Sequence, residues 1–147
     1  RFLIHKGFDF HEIKIVIRDI LEKQRFRGAS TITMQAARSL FLPASRNPLR
    51  KIPEAWYTLL MELAWDKKRI LEIYLNTVDW GTGIVGAQAG ADEYFSCSAG
   101  QLSRPQAALM AAVLPSPHKW SVKKPRPHVL ERQKRILRDM RQMSLPR

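Results

Sequence analysis

One segment near the middle of the chain, residues 55–65, limits the possible folds more than any other. It is nearly all apolar, and Glu62 is its one charged residue. Such a run is too short to cross a bilayer, which takes about 20 apolar residues, but it has the length of a buried helix. We therefore predict a central core helix, with Trp56 and Trp65 inside the core rather than facing lipid.

The helical spacing of apolar residues recurs on both sides of this segment. Gly-rich and Pro-rich stretches separate the predicted helices, and residues 80–86 and 118–127 are expected to be irregular connections. No β-strand is needed to explain the pattern, so the sequence predicts an all-α, or mainly α, fold. The other predicted helices are residues 10–23, Thr31–Phe41, a segment ending near Asn76, Ala87–Phe95, Gln106–Leu114 with Ser103 as its cap, and a last helix carrying Val129 and Met140.

Composition and charge narrow the class of protein. A chain of 147 residues fits a single domain, residues 1–147, with a real core. Its 25 Lys and Arg against 13 Asp and Glu give a formal net charge of +12, which favours an anionic partner: nucleic acid, an acidic membrane surface or a phosphorylated substrate. Cys97 is the only cysteine, which excludes an internal disulfide and a cysteine-built metal site. The chain begins at Arg1 rather than at Met, so we expect it to be part of a longer protein.

Residues able to contribute to chemistry are densest in residues 27–35, where Gly28 lies just before Ser30 and Thr31. The glycine there can adopt backbone conformations closed to other residues, and Ser30 or Thr31 can cap the helix that follows. In that helix Gln35 and Arg38 share one polar face with Thr31, and the free amides at its start would suit an anion. A capped surface helix with an ordinary solvated arginine explains the same spacing and remains an alternative. The opposite, apolar face would consist of Ile32, Ala36 and Leu40.

A second polar group follows after a turn-rich segment. Lys51 and Arg50 lie three and four residues before Glu54, so in a helix the three side chains can converge into a cationic pocket that contains one carboxylate. Pro53 is tolerated there only if the helix begins near Arg50. Guanidinium forks such as that of Arg46 suit bidentate contacts with oxygen, so this group fits a pyrophosphate.

Five segments, in this order, resemble the motifs of glycosyltransferase family 51. This family comprises the peptidoglycan transglycosylases, which occur as monofunctional enzymes and as a domain of class A penicillin-binding proteins. Five ordered motifs across nearly the whole chain make the resemblance specific. The segments are Arg1–Asp9, similar to the end of E-D-x-x-F-x-x-H-x-G; Arg27–Gln35, similar to R-G-x-S-T-I-T-x-Q; Arg50–Glu54, similar to R-K-x-x-E; Lys67–Asn76, similar to K-x-x-I-L-E-x-Y-L-N; and Arg132–Leu137, similar to R-x-x-x-V-L.

The resemblance implies a lysozyme-like, mainly helical lobe together with part of a small membrane-associated lobe. It also implies that the protein polymerises lipid II into glycan strands. The 4-hydroxyl of one lipid II attacks the anomeric carbon of the growing chain, with inversion, and undecaprenyl pyrophosphate leaves. The implied partners are lipid II, the nascent glycan strand, an anionic membrane surface and other cell-wall synthesis proteins, with no nucleic acid. The implied location is the outer, periplasmic face of the bacterial plasma membrane, with a membrane anchor outside this chain.

The resemblance also implies roles for individual residues. The family's general base is the glutamate that opens the first motif, which would precede Arg1, so we expect this chain by itself to be inactive. Glu54 corresponds to the family's second glutamate, a catalytic residue that orients substrate or cations beside the leaving group. A divalent cation, Mg²⁺ or Mn²⁺, would be compatible with that position, and no metal ligands are assigned within the chain. The implied substrate-binding residues are Ser30, Gln35, Arg38, Arg46, Arg50 and Lys51.

The chain departs from the family pattern in a few positions, and other functions remain open. Met34 stands where a second glutamine is usual, Ser39 where asparagine is common, Pro53 lies inside the third motif, and Gln106 stands where glutamate is frequent. None of these removes a group assigned to catalysis, but they bear on how the substrate is positioned. The main alternative is a non-catalytic protein of the same fold that binds lipid II or glycan. A basic helical protein that binds nucleic acid is a more distant alternative.

Overall fold

The computed structural model describes residues 30–43 and 48–142 of the chain. The predicted helix at residues 10–23, and the motif residues Arg27 and Arg46, lie outside these ranges. The described part is mainly helical, as the sequence predicted. It consists of α1 (Ile32–Phe41), a 3-10 turn at Pro48–Arg50, α2 (Lys51–Ala64), α3 (Lys67–Thr77), β1 (Asp79–Gly81), β2 (Ile84–Val85), α4 (Ala87–Phe95), a 3-10 turn at Ala99–Gln101, α5 (Arg104–Val113) and α6 (Pro127–Met140).

The chain divides into two compact units, with the boundary after Tyr74 in α3. In the first unit α1 packs against α2. Thr31 caps α1, since its side chain accepts a hydrogen bond from the Met34 amide at 3.2 Å, and the helix begins where the sequence predicted. Ala36 and Ala37 are fully buried, and such small side chains let two helices approach closely. The predicted apolar face is wrong at Leu40, which is exposed.

The prediction that residues 55–65 form a buried core helix with Trp56 inside is wrong for the described residues. On α2 the exposed fraction is 58% for Trp56 and 76% for Leu63, whereas Glu54 and Thr58 are fully buried. Because almost every position in this segment is apolar, its periodicity could not identify the buried face. Two polar residues one helical turn apart identify that face instead, together with Met61.

One further feature of the first unit agrees with the sequence analysis. Pro53 lies in the first turn of α2, where proline costs little. At the start of α3 the carboxylate of Asp66 accepts a hydrogen bond from the Arg69 amide at 2.7 Å. Later in α3, Glu72 forms an ion pair with Arg69 at 2.8 Å, and both side chains are exposed. Among the described residues, no helix combines the length and the apolar character needed to cross a membrane.

The second unit begins with a short antiparallel hairpin that the sequence analysis missed. Strands β1 and β2 pair Asp79 with Val85 and Gly81 with Ile84. The prediction that no strand is needed is therefore wrong at this point. The strands are too short for an alternating pattern to show, and the turn glycines dominate the segment.

Three glycines at this hairpin have a positive φ, namely Gly81, Gly83 and Gly86, and the last two differ in their surroundings. Gly83, at the turn, has φ +77°, and a Cβ there would have no heavy atom within 4 Å. Gly86, where the hairpin hands over to α4, has φ +87°, and a Cβ there would lie 2.8 Å from the backbone oxygen of Asn76. The Gly86 amide also donates to the Val78 carbonyl at 2.9 Å.

The core of the second unit lies between the hairpin, α5 and α6. Helices α4 and α5 agree closely with the predicted ranges, and Ser103 caps α5 through a reciprocal capping box with Gln106. Residues 118–126 form no helix or strand, which is close to the predicted irregular connection. Cys97 is a free, half-buried thiol. The buried core side chains are Trp80, Met110, Ala112, Val113, Val122 and Val129.

Candidate active site

A single lysine at the first residue of α2 connects the two polar motif segments. The Lys51 ammonium donates to Glu54 Oε1 at 2.8 Å and to Ser30 Oγ at 3.1 Å. The spacing of three residues on one helix explains the first contact, and the packing of α1 on α2 explains the second. The Lys51 side chain is 52% exposed and that of Glu54 is 1% exposed. The group therefore presents a cation and a hydroxyl, backed by a buried carboxylate.

Glu54 is buried but only half satisfied. Its Oε1 accepts from Lys51, whereas its Oε2 is buried and has no hydrogen-bond partner among the residues that the structure describes. The backbone around it is firmly held, because the Thr58 hydroxyl donates to the Glu54 carbonyl at 2.7 Å. Leaving a buried carboxylate oxygen without a donor is costly, and such atoms are uncommon in native structures. Glu54 is therefore the strongest candidate for a functional group in this unit.

Gln35 forms one wall of the same group. Its Nε2 donates to the Ser30 carbonyl at 3.3 Å, and its Oε1 accepts from the Tyr74 hydroxyl at 3.4 Å. Burial raises the pKa of Tyr74 above its usual value, and the nearby positive charge of Arg38 lowers it by less. Tyr74 is thus a neutral hydrogen-bond donor at neutral pH, and it holds the Gln35 amide in one orientation.

The structure brings together four of the seven residues that the sequence analysis assigned to a site: Ser30, Gln35, Lys51 and Glu54. Arg38 is exposed on α1, close enough to Tyr74 to influence its pKa. Arg50 lies at the N-cap position of α2 and is half-buried. Arg46 lies outside the described residues. The functional roles of all seven stay predictions.

A second polar cluster of the first unit was not identified from the sequence. The Thr33 hydroxyl donates to Glu62 Oε1 at 2.5 Å, and the Lys67 ammonium donates to both oxygens of Glu62 at 2.6 Å. Thr33 lies on α1 and Glu62 near the end of α2, so the cluster joins the two helices. A usable signal existed, because Glu62 is the lone charged residue of an apolar segment.

The chemistry available to the group around Lys51 is the binding of an oxygen anion. An exposed ammonium, a hydroxyl and an amide can all interact with phosphate oxygens, and Lys51 supplies the positive charge. The described residues contain no cluster of three or more His, Cys, Asp or Glu side chains that could hold a metal ion. Any metal bound here would take one carboxylate, that of Glu54, from this group.

Comparison with known proteins gives concordant results. The sequence model of the family described as Transglycosylase matches residues 1–141. The biosynthetic peptidoglycan transglycosylase of Chromohalobacter salexigens is 46% identical over 144 residues, which cover 98% of this chain and 62% of that protein. Its namesake from Aeromonas hydrophila is 49% identical over 144 residues, covering 98% of this chain and 61% of the relative. The biosynthetic peptidoglycan transglycosylase of Pseudomonas putida is 49% identical over 146 residues, which cover 99% of this chain and 62% of that protein. The chain thus spans about three fifths of the length of the curated relatives it matches.

Proposed function

This chain belongs to the transglycosylase family, and we propose that it is the glycosyltransferase region of an enzyme that polymerises lipid II into peptidoglycan strands. The relatives are named biosynthetic peptidoglycan transglycosylases and align over almost all of this chain. The single observation that carries the proposal is the Ser30–Lys51–Glu54 group, in which two motif segments supply a cation, a hydroxyl and a buried carboxylate. In the proposed reaction the acceptor 4-hydroxyl attacks the donor anomeric carbon with inversion.

The leaving group of this reaction is undecaprenyl pyrophosphate, on which negative charge grows as the glycosidic bond breaks. Preorganised donors aimed at that charge lower the barrier, because they need not reorganise during the reaction. We assign this role to Lys51 and Ser30, with Glu54 orienting the ammonium. The Lys51 ammonium has three protons, and only two are taken by the contacts with Glu54 and Ser30. One N–H remains for a pyrophosphate oxygen.

The remaining assigned residues complete the donor site in this proposal. Arg38, Arg46 and Arg50 contribute further positive charge around the pyrophosphate. Gln35 contacts the substrate from its position beside Ser30. We assign the proton acceptor to the glutamate that opens the family's first motif. Glu54 Oε2 fits the supply of one ligand to Mg²⁺ or Mn²⁺, because such ions are commonly held by one or two carboxylates together with substrate phosphates. A bound ion would neutralise charge on the leaving pyrophosphate.

We further propose that the enzyme works at an anionic membrane, on the outer face of the bacterial plasma membrane. Its net charge of +12 supports this, since Lys and Arg near acidic lipid contribute about 1 kcal/mol each. This location gives it access to lipid II and to other cell-wall synthesis proteins.

The test is glycan chain length from labelled lipid II with the full-length gene product. Wild type should form polymer and release undecaprenyl pyrophosphate, and Lys51→Ala should slow polymerisation at least about tenfold. Lys134→Ala is the matched control, because Lys134 is also an exposed lysine paired with a glutamate three residues away, at 3.0 Å from Glu131. Binding of lipid II without polymer would overturn the enzyme proposal in favour of a non-catalytic binding protein. Equal rates for the two lysine variants would remove Lys51 from the site.

A further inference from the structure

The proposed reaction makes no use of the Thr33–Glu62–Lys67 cluster, although it is the most completely hydrogen-bonded ionic group in the described part of the first unit. The side chains of Lys67 and Glu62 are 20% and 7% exposed, and Thr33 is fully buried. Both oxygens of Glu62 accept from Lys67, and Oε1 also accepts from Thr33. Burying a charged pair commonly stabilises a fold no better than apolar side chains of the same size. Global stability is therefore a poor explanation for this cluster.

The position of Thr33 suggests a different role. It lies in the first turn of α1, directly after the segment that contains Ser30 and the cap residue Thr31. Ala36 and Ala37 are the fully buried apolar side chains of α1, and methyl groups of this size restrict the rotation and sliding of a helix less than larger side chains do. A hydrogen bond to a carboxylate is directional and short, so it restricts both the rotation and the axial position of the helix.

We propose that Glu62 is a positioning residue that sets the first turn of α1 so that Ser30 Oγ remains in reach of Lys51 Nζ. Lys67 holds the Glu62 carboxylate in one orientation by donating to both of its oxygens. Glu62 then holds α1 through Thr33, and α1 presents Ser30 to Lys51 at 3.1 Å. The inference rests on the proposed function, because Ser30 and Lys51 are assigned there to the pyrophosphate.

Besides any loss of stability, a positioning role predicts a specific effect on turnover. A small displacement of a group that acts on developing charge lowers kcat, and misplacements near 1 Å lower rates by up to about a hundredfold. Glu62→Gln should lower kcat about tenfold and change KM by less than about twofold. Glu131→Gln is the matched control, because it alters an exposed carboxylate that is also paired with a lysine. It should leave both constants unchanged.

A double-mutant comparison of Glu62→Gln with Ser30→Ala distinguishes a positioning role of Glu62 from a general loss of structure. If Glu62 acts through Ser30, the effect of Glu62→Gln on kcat should shrink to less than about threefold when Ser30 is already alanine. A purely structural role would make the two effects multiply. Independent effects of the two substitutions on kcat would overturn the proposal.

Variants at Thr33 keep the test decisive even if Glu62→Gln folds poorly. Thr33→Ser retains the hydroxyl and should keep kcat within about twofold, whereas Thr33→Val has the same shape without the donor and should reproduce the loss. Wild-type turnover of Thr33→Val would overturn the proposal.

Hydrogen exchange distinguishes failure of this inference from failure of the proposed function. Absence of polymer from wild type would refute the function. The exchange measurement does not depend on turnover. Glu62→Gln should speed hydrogen exchange at the backbone N–H of Gln35, which donates to the Thr31 carbonyl at 3.0 Å. Exchange of the backbone N–H groups of α5 should be unchanged. Unchanged protection of Gln35 in that variant would refute the positioning contact itself.

Discussion

Helix α2 carries two buried carboxylates about two turns apart, and their surroundings differ in one decisive respect. Glu62 is saturated, with donors on both oxygens from Thr33 and Lys67. Glu54 accepts one hydrogen bond from Lys51, and its second oxygen is buried without a partner in the described part of the chain. The same residue type on the same helix thus occurs once with both carboxylate oxygens hydrogen-bonded and once with one oxygen unpaired.

The difference teaches how to separate a carboxylate that holds a structure from one that is available for chemistry. A network in which every polar atom is hydrogen-bonded fixes the positions of its members and leaves no atom available to bind a ligand. An orphaned oxygen retains that capacity, at an energetic cost that the rest of the fold must offset. Sequence position could not reveal this, because each of the two glutamates has a lysine within five residues.

The largest expected effect is on stability, when each carboxylate becomes an amide. Glu62→Gln replaces an oxygen that accepts from Lys67 by an NH₂ group that cannot accept, so it should lower the free energy of unfolding by about 3 kcal/mol. Glu54→Gln can place its NH₂ where no donor is present, and should cost less than about 1 kcal/mol. Urea unfolding measures both. Equal losses would abolish the distinction between the two carboxylates.

For activity we expect the opposite order: Glu54→Gln, which costs less stability, should lower turnover at least as much as Glu62→Gln does. Glu54→Gln should lower lipid II polymerisation by about 10- to 100-fold in the full-length gene product, because a charge-assisted hydrogen bond contributes about 1.5 to 3 kcal/mol. Rates at a temperature well below unfolding, with folding checked by circular dichroism, provide the measurement. Near-normal turnover would make Glu54 a mere ion-pair partner of Lys51.

Thr58 sharpens the comparison, because it lies on the same buried face between the two glutamates. Its hydroxyl donates to the Glu54 carbonyl within the helix, so Thr58→Val should cost less than about 1 kcal/mol. Polymerisation should remain within about twofold of wild type. A large loss of turnover would mean that the whole buried face, rather than Glu54 itself, supports the reaction.

The smallest effect is expected at an exposed carboxylate that serves as a reference. Glu72 pairs with Arg69 on the surface of α3 at 2.8 Å. Exposed pairs contribute little, so Glu72→Gln should change the free energy of unfolding by less than about 0.5 kcal/mol. A change as large as that of Glu62→Gln would show that burial does not explain the difference.

Helix boundaries were largely predictable, because local signals determine them. The Thr31 cap, the capping box of Ser103 and Gln106, and the range Ala87–Phe95 all follow from residues close in sequence. The Lys51–Glu54 contact follows from helical spacing in the same way. Each of these required only neighbouring residues and known helix geometry.

Features that depend on distant contacts could not be predicted in this way. The buried face of α2 was misassigned, because the segment is apolar on nearly every side and its partner helix decides which side is covered. The Thr33–Glu62 bond joins residues 29 positions apart, which helical spacing does not reach. The β-hairpin escaped notice because strands of this length carry no periodicity.

Gly83 and Gly86 should differ in how freely they can be substituted during evolution. At Gly83 the surroundings are open, so a descendant sequence could carry Asn or Asp, which tolerate a positive φ. At Gly86 the backbone oxygen of Asn76 occupies the space that any Cβ would need, and backbone cannot rotate away as a side chain can. Drift should therefore alter the turn of the hairpin freely while leaving its exit into α4 unchanged across lineages.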